Sequence, residues 1–343
     1  MNRLKSLIGI AVGAALVPLL AFGQAKVGTT GLNFLKVGTT ARAVGMGEAF
    51  TAVANDVSAL YYNPGGLIQL TRPQATFSIV DWPVGIKYAF LGGVMPMPLV
   101  SGVLGVQTTT LFSDEMVETT PEMPYGTGRT FTAGDIAVGL TYCQRLTDKF
   151  SVGTTLKYLH SQLADARASG WSADVGTFYA TGWRRVNIGM IIQNFGPDMT
   201  YVSEPFPLPI TFKFGMSMVA YEDGPHSILA AGEFIHPNDN LELYRIGAEY
   251  TYKRLVSLRF GKQVNAWERA TWDEYQADRQ KDPFVEYPII DENGGLSLDG
   301  VSFGLGLQIP QAGVTVDYAW NGLGTLSSAH RFTISYLIGY INF

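Results

Sequence analysis

From about residue 73 onward, the sequence alternates repeatedly between apolar residues and small or polar ones. In one run, Phe212, Phe214 and Met216 are separated by Lys213 and Gly215. Neighbouring side chains of a β-strand point to opposite faces, so a period of two predicts strands with one apolar and one polar face. Fourteen segments show this pattern, and they are predicted to begin near residues 74, 85, 99, 131, 150, 171, 186, 209, 226, 241, 254, 299, 313 and 329.

The lengths of the connections between these segments indicate how the strands are arranged. Short connections follow the even-numbered strands, as at Glu222 to Pro225, whereas long ones follow the odd-numbered strands: Asp114 to Thr130, Ala164 to Gly170 and Val264 to Leu298. This parity is typical of outer-membrane barrels, which have short periplasmic turns and longer external loops. An even strand count places both termini in the periplasm, and closure is obligatory because an open sheet edge cannot sit in hydrocarbon.

Residues 73–343 are therefore predicted to form an all-β domain, a transmembrane antiparallel β-barrel of about 14 strands. Its apolar face would contact outer-membrane lipid, and its polar face would line the lumen. A secreted, soluble all-β protein is the alternative.

Composition excludes several other classes. Charged residues make up 15% of the chain, glycine contributes 39 of 343 residues and aromatics reach 12%, which disfavours a disordered chain. The net charge of −5 leaves no basic surplus for nucleic acid. Cys143 is the only cysteine, which excludes an intramolecular disulfide and a four-cysteine zinc site. No residue set predicts a catalytic, metal or cofactor site, so we do not expect an enzyme.

The first 23 residues have the pattern of a secretory signal peptide. Arg3 and Lys5 precede an apolar run from Leu7 to Leu20, and small residues follow at Ala21 and Gly23. The run is too short for a typical membrane span, which needs ~20 apolar residues, although an uncleaved anchor is the alternative. Export to the outer membrane of a Gram-negative-type bacterium is therefore expected.

Residues 24–72 do not alternate, and we expect them to fold inside the barrel as a hatch. The small-residue-rich stretch from Thr39 to Ala54 predicts a helix, and Asn63-Pro64-Gly65-Gly66 predicts a turn. Within this stretch, Gly45 and Gly47 indicate close packing of the chain.

Arg42 and Glu48 are charges in an otherwise apolar part of this segment, and buried charges need partners. The predicted partners are charged residues on the lumen face, namely Asp135, Lys157, Asp174, Lys213 or Asp317. Simple solvation in a wet lumen is the alternative.

The long connection from Val264 to Leu298 carries large aromatic side chains among many charges, including Trp267, Trp272 and Tyr275. Exposed aromatics among charges are typical of a recognition surface, because such anchors often dominate binding energy. Packing of the loop over the barrel mouth as a lid is the alternative.

The run from Phe34 to Leu67, FLKVGTTARAVGMGEAFTAVANDVSALYYNPGGL, resembles the N-terminal signature of the PorV/PorQ family, which is related to the FadL-type fatty-acid transporters. Weaker similarity is found at Arg145 to His160 and Asp174 to Gly182. The resemblance implies a fourteen-strand FadL-like barrel with an N-terminal hatch. Asn63-Pro64-Gly65 departs from the family's Asn-Pro-Ala but keeps the turn.

Two functions follow from the resemblance. The main interpretation is a component of type IX protein secretion that binds or hands over exported cargo, with secreted proteins and other secretion-system subunits as partners. The alternative is a FadL-like channel for hydrophobic small molecules such as long-chain fatty acids. The charged, aromatic loop favours a protein partner, whereas an apolar cavity beneath the loops would favour the channel.

Overall fold

The computed structural model describes residues 28–265, 298–324 and 327–339, which form a closed antiparallel β-barrel around a short internal segment. The barrel strands are β1 Gln74–Asp81, β2 Ile86–Met97, β3 Gly102–Ser113, β4 Ala133–Arg145, β5 Phe150–Leu163, β6 Ala166–Ala180, β7 Asn187–Phe195, β8 Thr211–Asp223, β9 His226–Pro237, β10 Leu243–Tyr252, β11 Val256–Asn265, β12 Val301–Ile309, β13 Val314–Gly322 and β14 Ser328–Leu337.

Each strand pairs with its neighbours in sequence, and β1 closes the barrel by pairing with β14. In this seam Gln74 lies opposite Leu337, and Asp81 lies opposite His330. Two small ladders lie outside the wall, Met116–Val117 with Thr130–Phe131 and Met199–Thr200 with Pro205–Phe206. Closure leaves no strand edge facing lipid along the seam.

The predicted fourteen-strand barrel is confirmed, and every strand begins within five residues of its predicted start. As in membrane barrels, alternate side chains along a strand point to the lumen and to the outer surface. On β8, Lys213 and Gly215 are buried towards the lumen, whereas Phe212 and Met216 are 37% and 47% exposed on the outer face. The outer surface is apolar along most strands, as lipid contact requires.

The two ends of the barrel differ in the length of their connections. At the end where β1 begins and β14 ends, which we call the terminal end, connections have two to six residues. The opposite, long-loop end carries residues 114–132, residues 196–210 and the connection from Asn265 to Val301. The predicted long loop at 164–170 is wrong, because β6 already begins at residue 166 and its Ala166 pairs with Leu163.

Residues 28–72, the inner segment, contain two short helices, α1 Ala41–Gly45 and α2 Ala59–Tyr62. The predicted helix over residues 39–54 is too long: Gly47 and Glu48 adopt positive φ angles of 63° and 60°, which a right-handed helix excludes. Within the described ranges, 3-10 helices span Asn33–Lys36, Pro64–Gln69, Pro83–Gly85, Pro98–Val100 and Pro310–Ala312. Among the helices that the structure describes, none is long and apolar enough to cross a membrane.

Candidate functional site

The inner segment fills the lumen, and α1 packs against β11 to β14. The 3-10 helix Pro64–Gln69 packs against β4, β5 and β6 on the other side. Most of the residues between Leu32 and Leu67 are buried. The candidate site is therefore the interface between the inner segment and the inner wall of the barrel.

Asn63 ties the inner segment to this wall. Its Nδ2 donates to the backbone oxygen of Thr51 at 2.8 Å and to that of Thr177 on β6 at 2.9 Å. Its Oδ1 accepts from the backbone N–H of Gly65 at 3.0 Å. Pro64 follows at the start of a 3-10 helix, where the missing N–H breaks no hydrogen bond. One buried amide thus closes the turn and anchors it to the barrel.

Glycines allow backbone-to-backbone contact on the α1 side. A Cβ added to Gly261 on β11 would lie 1.9 Å from the backbone nitrogen of Gly47, and one added to Gly45 would lie 2.9 Å from the Cα of Gly304. A side chain at either position, Gly261 on the wall or Gly45 on α1, would push the inner segment and the wall apart. Part of the high glycine content is therefore a fit between the wall and the segment.

The turn at Asn63 meets a similar surface. A Cβ added to Gly176 would lie 2.2 Å from Asn63 Oδ1, and one added to Gly153 would lie 2.3 Å from the carbonyl carbon of Pro64. Both sides of the inner segment are therefore held in shallow, glycine-lined depressions of the wall.

Arg42 is the centre of an ionic network. Its Nε and NH2 donate to the two carboxylate oxygens of Glu249 on β10, at 2.9 and 2.8 Å, and its NH1 donates to Asp56 at 2.8 Å. Glu249 also accepts from Arg259 on β11 at 2.6 Å, and Arg259 pairs with Asp317 on β13 at 2.6 Å. The network links the inner segment to three strands of the wall.

Glu48 belongs to a second network. Its carboxylate lies 3.1 Å from NH2 of Arg245, and NH1 of the same guanidinium lies 3.4 Å from the carboxylate of Glu233 on β9. Glu233 in turn accepts the backbone N–H groups of Phe50 and Thr51, at 3.1 and 2.8 Å. Here a wall carboxylate hydrogen-bonds the inner segment's backbone directly.

Arg42 and Glu48 thus have partners, but the predicted partners are wrong. Asp317 reaches Arg42 only through Arg259. The other predicted residues make separate contacts: Lys157 pairs with Asp174 at 2.8 Å, Lys213 lies 5.9 Å from the ring centre of Tyr61, and Asp135 accepts from Ser161.

Sequence reasoning missed Glu233, Arg245, Glu249 and Arg259, although a signal was present. Each occupies the small or polar face of a predicted strand, so each side chain was bound to point inward. A search for charges at lumen-facing positions of β9 to β11 would have found all four.

The lumen wall has two chemically different halves. The charged half, on β8 to β13, carries the networks around Arg42 and Glu48. The other half, on β1 to β6, contacts the inner segment through two clusters of buried apolar side chains, and we call it the apolar half for these contacts. It also carries the buried Lys157–Asp174 ion pair and buried polar side chains such as Gln107. The cluster at the long-loop end includes Leu32, Phe34 and Leu35 of the inner segment with Tyr88 and Leu159 of the wall.

The second apolar cluster lies deeper in the lumen. It includes Phe50, Leu60 and Tyr62 of the inner segment together with Phe90 on β2 and Cys143 on β4. The Phe50 and Tyr62 rings pack edge to face, with their centres 5.4 Å apart. The two clusters lie on the same side of the lumen, and we refer to them together as the apolar band.

A cavity of about 240 Å³ lies at the long-loop end, between the inner segment and the wall. Its lining is mixed: Lys36, Glu48, Arg245 and Arg331 line it together with apolar side chains such as Trp82. Arg331 is buried; it donates to the backbone oxygen of Gly38 at 3.2 Å and also to Asn321. This cavity is therefore not the apolar cavity that would by itself favour a channel.

Other predicted features have different outcomes. Trp267, Trp272 and Tyr275 lie outside the described residues, as does the predicted signal peptide. Cys143 is buried, and its thiol donates to the backbone oxygen of Gly65 at 3.5 Å. Among the residues that the structure describes, no three His, Cys, Asp or Glu side chains are grouped as metal ligands.

Comparison with known proteins gives a likeness in structure alone. No protein-family model matches the sequence, and no curated protein matches it. The barrel is similar to the Ralstonia pickettii toluene transporter TbuX, with a TM-score of 0.57, 12% identity and coverage of 87% of this chain and 97% of that one. It is also similar to the Pseudomonas putida toluene transporter TodX, with a TM-score of 0.55, 12% identity and coverage of 87% and 96%.

This chain has the fold of those transporters. A TodX variant described as a monoaromatic hydrocarbon channel has the same likeness, with a TM-score of 0.55 at 11% identity over 87% of this chain and 97% of that one. The closed fourteen-strand barrel fold expected from the sequence is supported by this likeness. At these identities the likeness defines the fold and leaves the solute and the partners open.

Proposed function

We propose that the protein is an outer-membrane channel for small apolar molecules and that the inner segment is its hatch. The observation that carries the proposal is the apolar band along β1 to β6. Within these clusters an apolar solute can replace contacts between apolar side chains without stripping water from charges. Transport of toluene by proteins of the same fold supports this choice over protein secretion.

The two halves of the lumen suggest how such a hatch works. On the charged half, removing the inner segment would separate several buried ion pairs, which is costly. On the apolar half, the contacts are between apolar side chains, which an apolar solute can replace. The inner segment would therefore stay attached to the wall near Arg42 and move away from the wall near Leu60.

Uptake measurements test the proposal with two variants of one strand. Leu159 on β5 is buried against the inner segment, whereas Leu156 on the same strand faces outward. Leu159→Ala opens space in the apolar band, and we expect severalfold faster entry of radiolabelled toluene than with the native protein. Leu156→Ala makes the same change on the lipid face and should leave uptake unchanged.

Cells without the barrel provide the baseline, and labelled palmitate provides a second solute. Uptake by the native protein at the baseline rate for both solutes, with Leu159→Ala equally inactive, contradicts the channel. Uptake of a hydrophilic sugar at the same rate as toluene would also contradict it, because an apolar path excludes polar solutes.

Protein secretion remains the second candidate, and the resemblance of Phe34 to Leu67 to the PorV/PorQ signature favours it. Most of this run is buried in the lumen, so cargo recognition would fall to surface loops. Replacing Trp267, Trp272 and Tyr275 by alanine would then abolish co-purification of secreted proteins, at about 2 kcal/mol for each true hot spot. Loss of cargo from that variant, with no uptake by the native protein, would favour secretion.

A further inference from the structure

Two hairpin turns at the terminal end share an unusual construction. In Trp183–Val186, the N–H of Val186 donates to the oxygen of Trp183 at 2.9 Å, and Arg184 and Arg185 have φ angles of 47° and 54°. In Tyr252–Leu255, the corresponding hydrogen bond is 2.9 Å, and Lys253 and Arg254 have φ angles of 51° and 57°. Both are type I′ turns, and we call them the basic turns.

The residues at the centre of the basic turns are not those that the backbone favours. Type I′ turns need positive φ at both central positions, so Asn-Gly is strongly preferred there. Four long basic side chains occupy these positions instead, against a conformational penalty at each. The same exception occurs in two separate turns, which indicates that these basic side chains serve to bind a ligand and not to form the turn.

The first residue of each basic turn is aromatic, and a basic side chain of the same turn lies over its ring. The guanidinium of Arg184 lies 5.2 Å from the ring centre of Trp183, and the ammonium of Lys253 lies 5.4 Å from that of Tyr252. Trp183 is 66% exposed and Tyr252 is 39% exposed. Exposed Trp and Tyr at a barrel end are typical of the level of lipid head groups.

The two ends of the barrel differ in the charge of their connections. In the described connections at the terminal end there are five basic residues and one acidic residue: Lys149, Arg184, Arg185, Lys253 and Arg254, with Asp148. In those at the long-loop end there is one basic residue, Arg129, with ten acidic residues: Asp114, Glu115, Glu118, Glu122, Asp165, Asp198, Glu204, Asp239, Glu242 and Asp299. The whole chain is acidic, so a basic terminal end is a local feature.

Most of the basic-turn charges are available to a ligand. Arg185 pairs with Glu222, at the end of β8. Within the ranges that the structure describes, Arg184, Lys253 and Arg254 have no carboxylate at ion-pair distance. In each turn a free cation lies beside an exposed aromatic ring, Arg184 by Trp183 and Lys253 by Tyr252, which matches a phosphate group attached to apolar chains.

We propose that the two basic turns bind the phosphate head groups of anionic phospholipid in the leaflet at the terminal end of the barrel. The cations contact the phosphate, and the aromatic rings lie between the head group and the acyl chains, as their mixed polarity favours. The site is separate from the lumen and does not depend on the proposed channel.

The test replaces each basic pair by the residues that the turn itself prefers. The variant R184N/R185G/K253N/R254G removes three free cations while fitting both type I′ turns better. With the barrel in neutral detergent, we measure binding of fluorescent phosphatidylglycerol, with phosphatidylcholine as the uncharged-head-group comparison. Binding of phosphatidylglycerol should weaken about fivefold for each free cation, so about fivefold at the Arg184 turn and about 25-fold at the turn with Lys253 and Arg254, and phosphatidylcholine should be unaffected.

Lys149→Gln is the matched control, because it removes a basic residue from the same end outside the basic turns. The proposal expects a clearly smaller effect from it than from Arg184→Asn. Equal losses from the two single variants would show a diffuse charge effect and overturn the proposal.

Two further measurements complete the test. The unfolding temperature of the fourfold variant should stay constant or rise; a fall would show that the basic residues serve the fold and would overturn the proposal. Millimolar inorganic phosphate should compete only weakly. Competition by free phosphate as strong as that by phosphatidylglycerol would assign the site to a soluble anion instead.

Discussion

Replacing Arg42 by methionine should release the inner segment without unfolding the barrel. The substitution keeps the apolar stem of the side chain but removes the charge and the hydrogen bonds to Glu249 and Asp56. Only 19% of the Arg42 side chain is exposed, so water replaces these contacts poorly. The wall strands do not depend on Arg42 for their own pairing.

The size of the effect follows from what remains after the substitution. Breaking a buried ion pair costs 3–5 kcal/mol when the remaining charge is left unpaired. Glu249 still has Arg259 at 2.6 Å, and Asp56 is partly exposed, so we expect the low end, about 3 kcal/mol. Because ~1.4 kcal/mol is a factor of ten, local opening of the inner segment should become roughly 150-fold more frequent.

Hydrogen exchange followed by mass spectrometry measures this opening segment by segment. Backbone amides of residues 39–63 should exchange faster in Arg42→Met, and those of β1 to β14 should not. Arg129→Met is the control, since Arg129 is 71% exposed and its ion pair with Glu118 spans 3.6 Å. Unchanged exchange in the inner segment, or faster exchange throughout the wall, would refute the reasoning.

Three further outcomes are expected. Asn63→Ala leaves the backbone oxygens of Thr51 and Thr177 without their donor, so the thiol of Cys143 beneath the turn should react with maleimide at least tenfold faster. Gly261→Ala should displace the inner segment and lower the unfolding temperature by several degrees, whereas Gly93→Ala, with no atom closer than 4.0 Å, should be tolerated. Acidification should loosen residues 28–36, because this end is held by the carboxylate of Asp239.

The acid effect has a defined direction. Burial alone would raise the pKa of Asp239, but hydrogen bonds from Lys36 and Thr30 and the Lys36 charge hold that pKa below its usual range. A lowered pKa in the folded state adds stability above the unfolded-state value of ~3.9 and loses it as the pH falls through the folded-state value. Hydrogen exchange of residues 28–36 between about pH 6 and pH 3 measures the loss, and Asp239→Asn should remove the pH dependence.

Each of the remaining predictions has its own point of failure. Maleimide labelling of Cys143 at the native rate in Asn63→Ala would show that the amide does not hold the turn. Equal stability of Gly261→Ala and Gly93→Ala would contradict the close contact at Gly47. An unaltered pH dependence in Asp239→Asn would assign the acid effect to another group.

The barrel was predictable because its rule is local. In β8 and β12, two-residue alternation determines both the strand and its inward face, and no knowledge of partners is needed. The prediction failed for one connection, where the sequence suggests a loop and the backbone forms a short turn. Residues 164–170 look like a polar loop, yet the strand pairing continues to a two-residue turn at Ala164, which takes a positive φ of 52°.

The inner segment was less predictable because its contacts are distant in sequence. The need of Arg42 for a partner could be deduced from burial, but Glu249 lies 207 residues away and competes with several other lumen charges. The end of α1 depends on where Gly45 and Gly47 meet wall glycines, which composition alone does not reveal. Such contacts require the register of the whole barrel.

The pairing of β1 with β14 has a consequence for the order of assembly. Arg331 and Thr333 on β14 also bond the inner segment, through the backbone oxygen of Gly38 at 3.2 Å and the backbone N–H of Ala41 at 2.8 Å. The last of the fourteen strands therefore completes the wall and seats the inner segment in the same event. A nascent chain that lacks β14 would leave an unsealed sheet and an unseated N-terminal segment together, so quality control could recognise incomplete molecules by either defect.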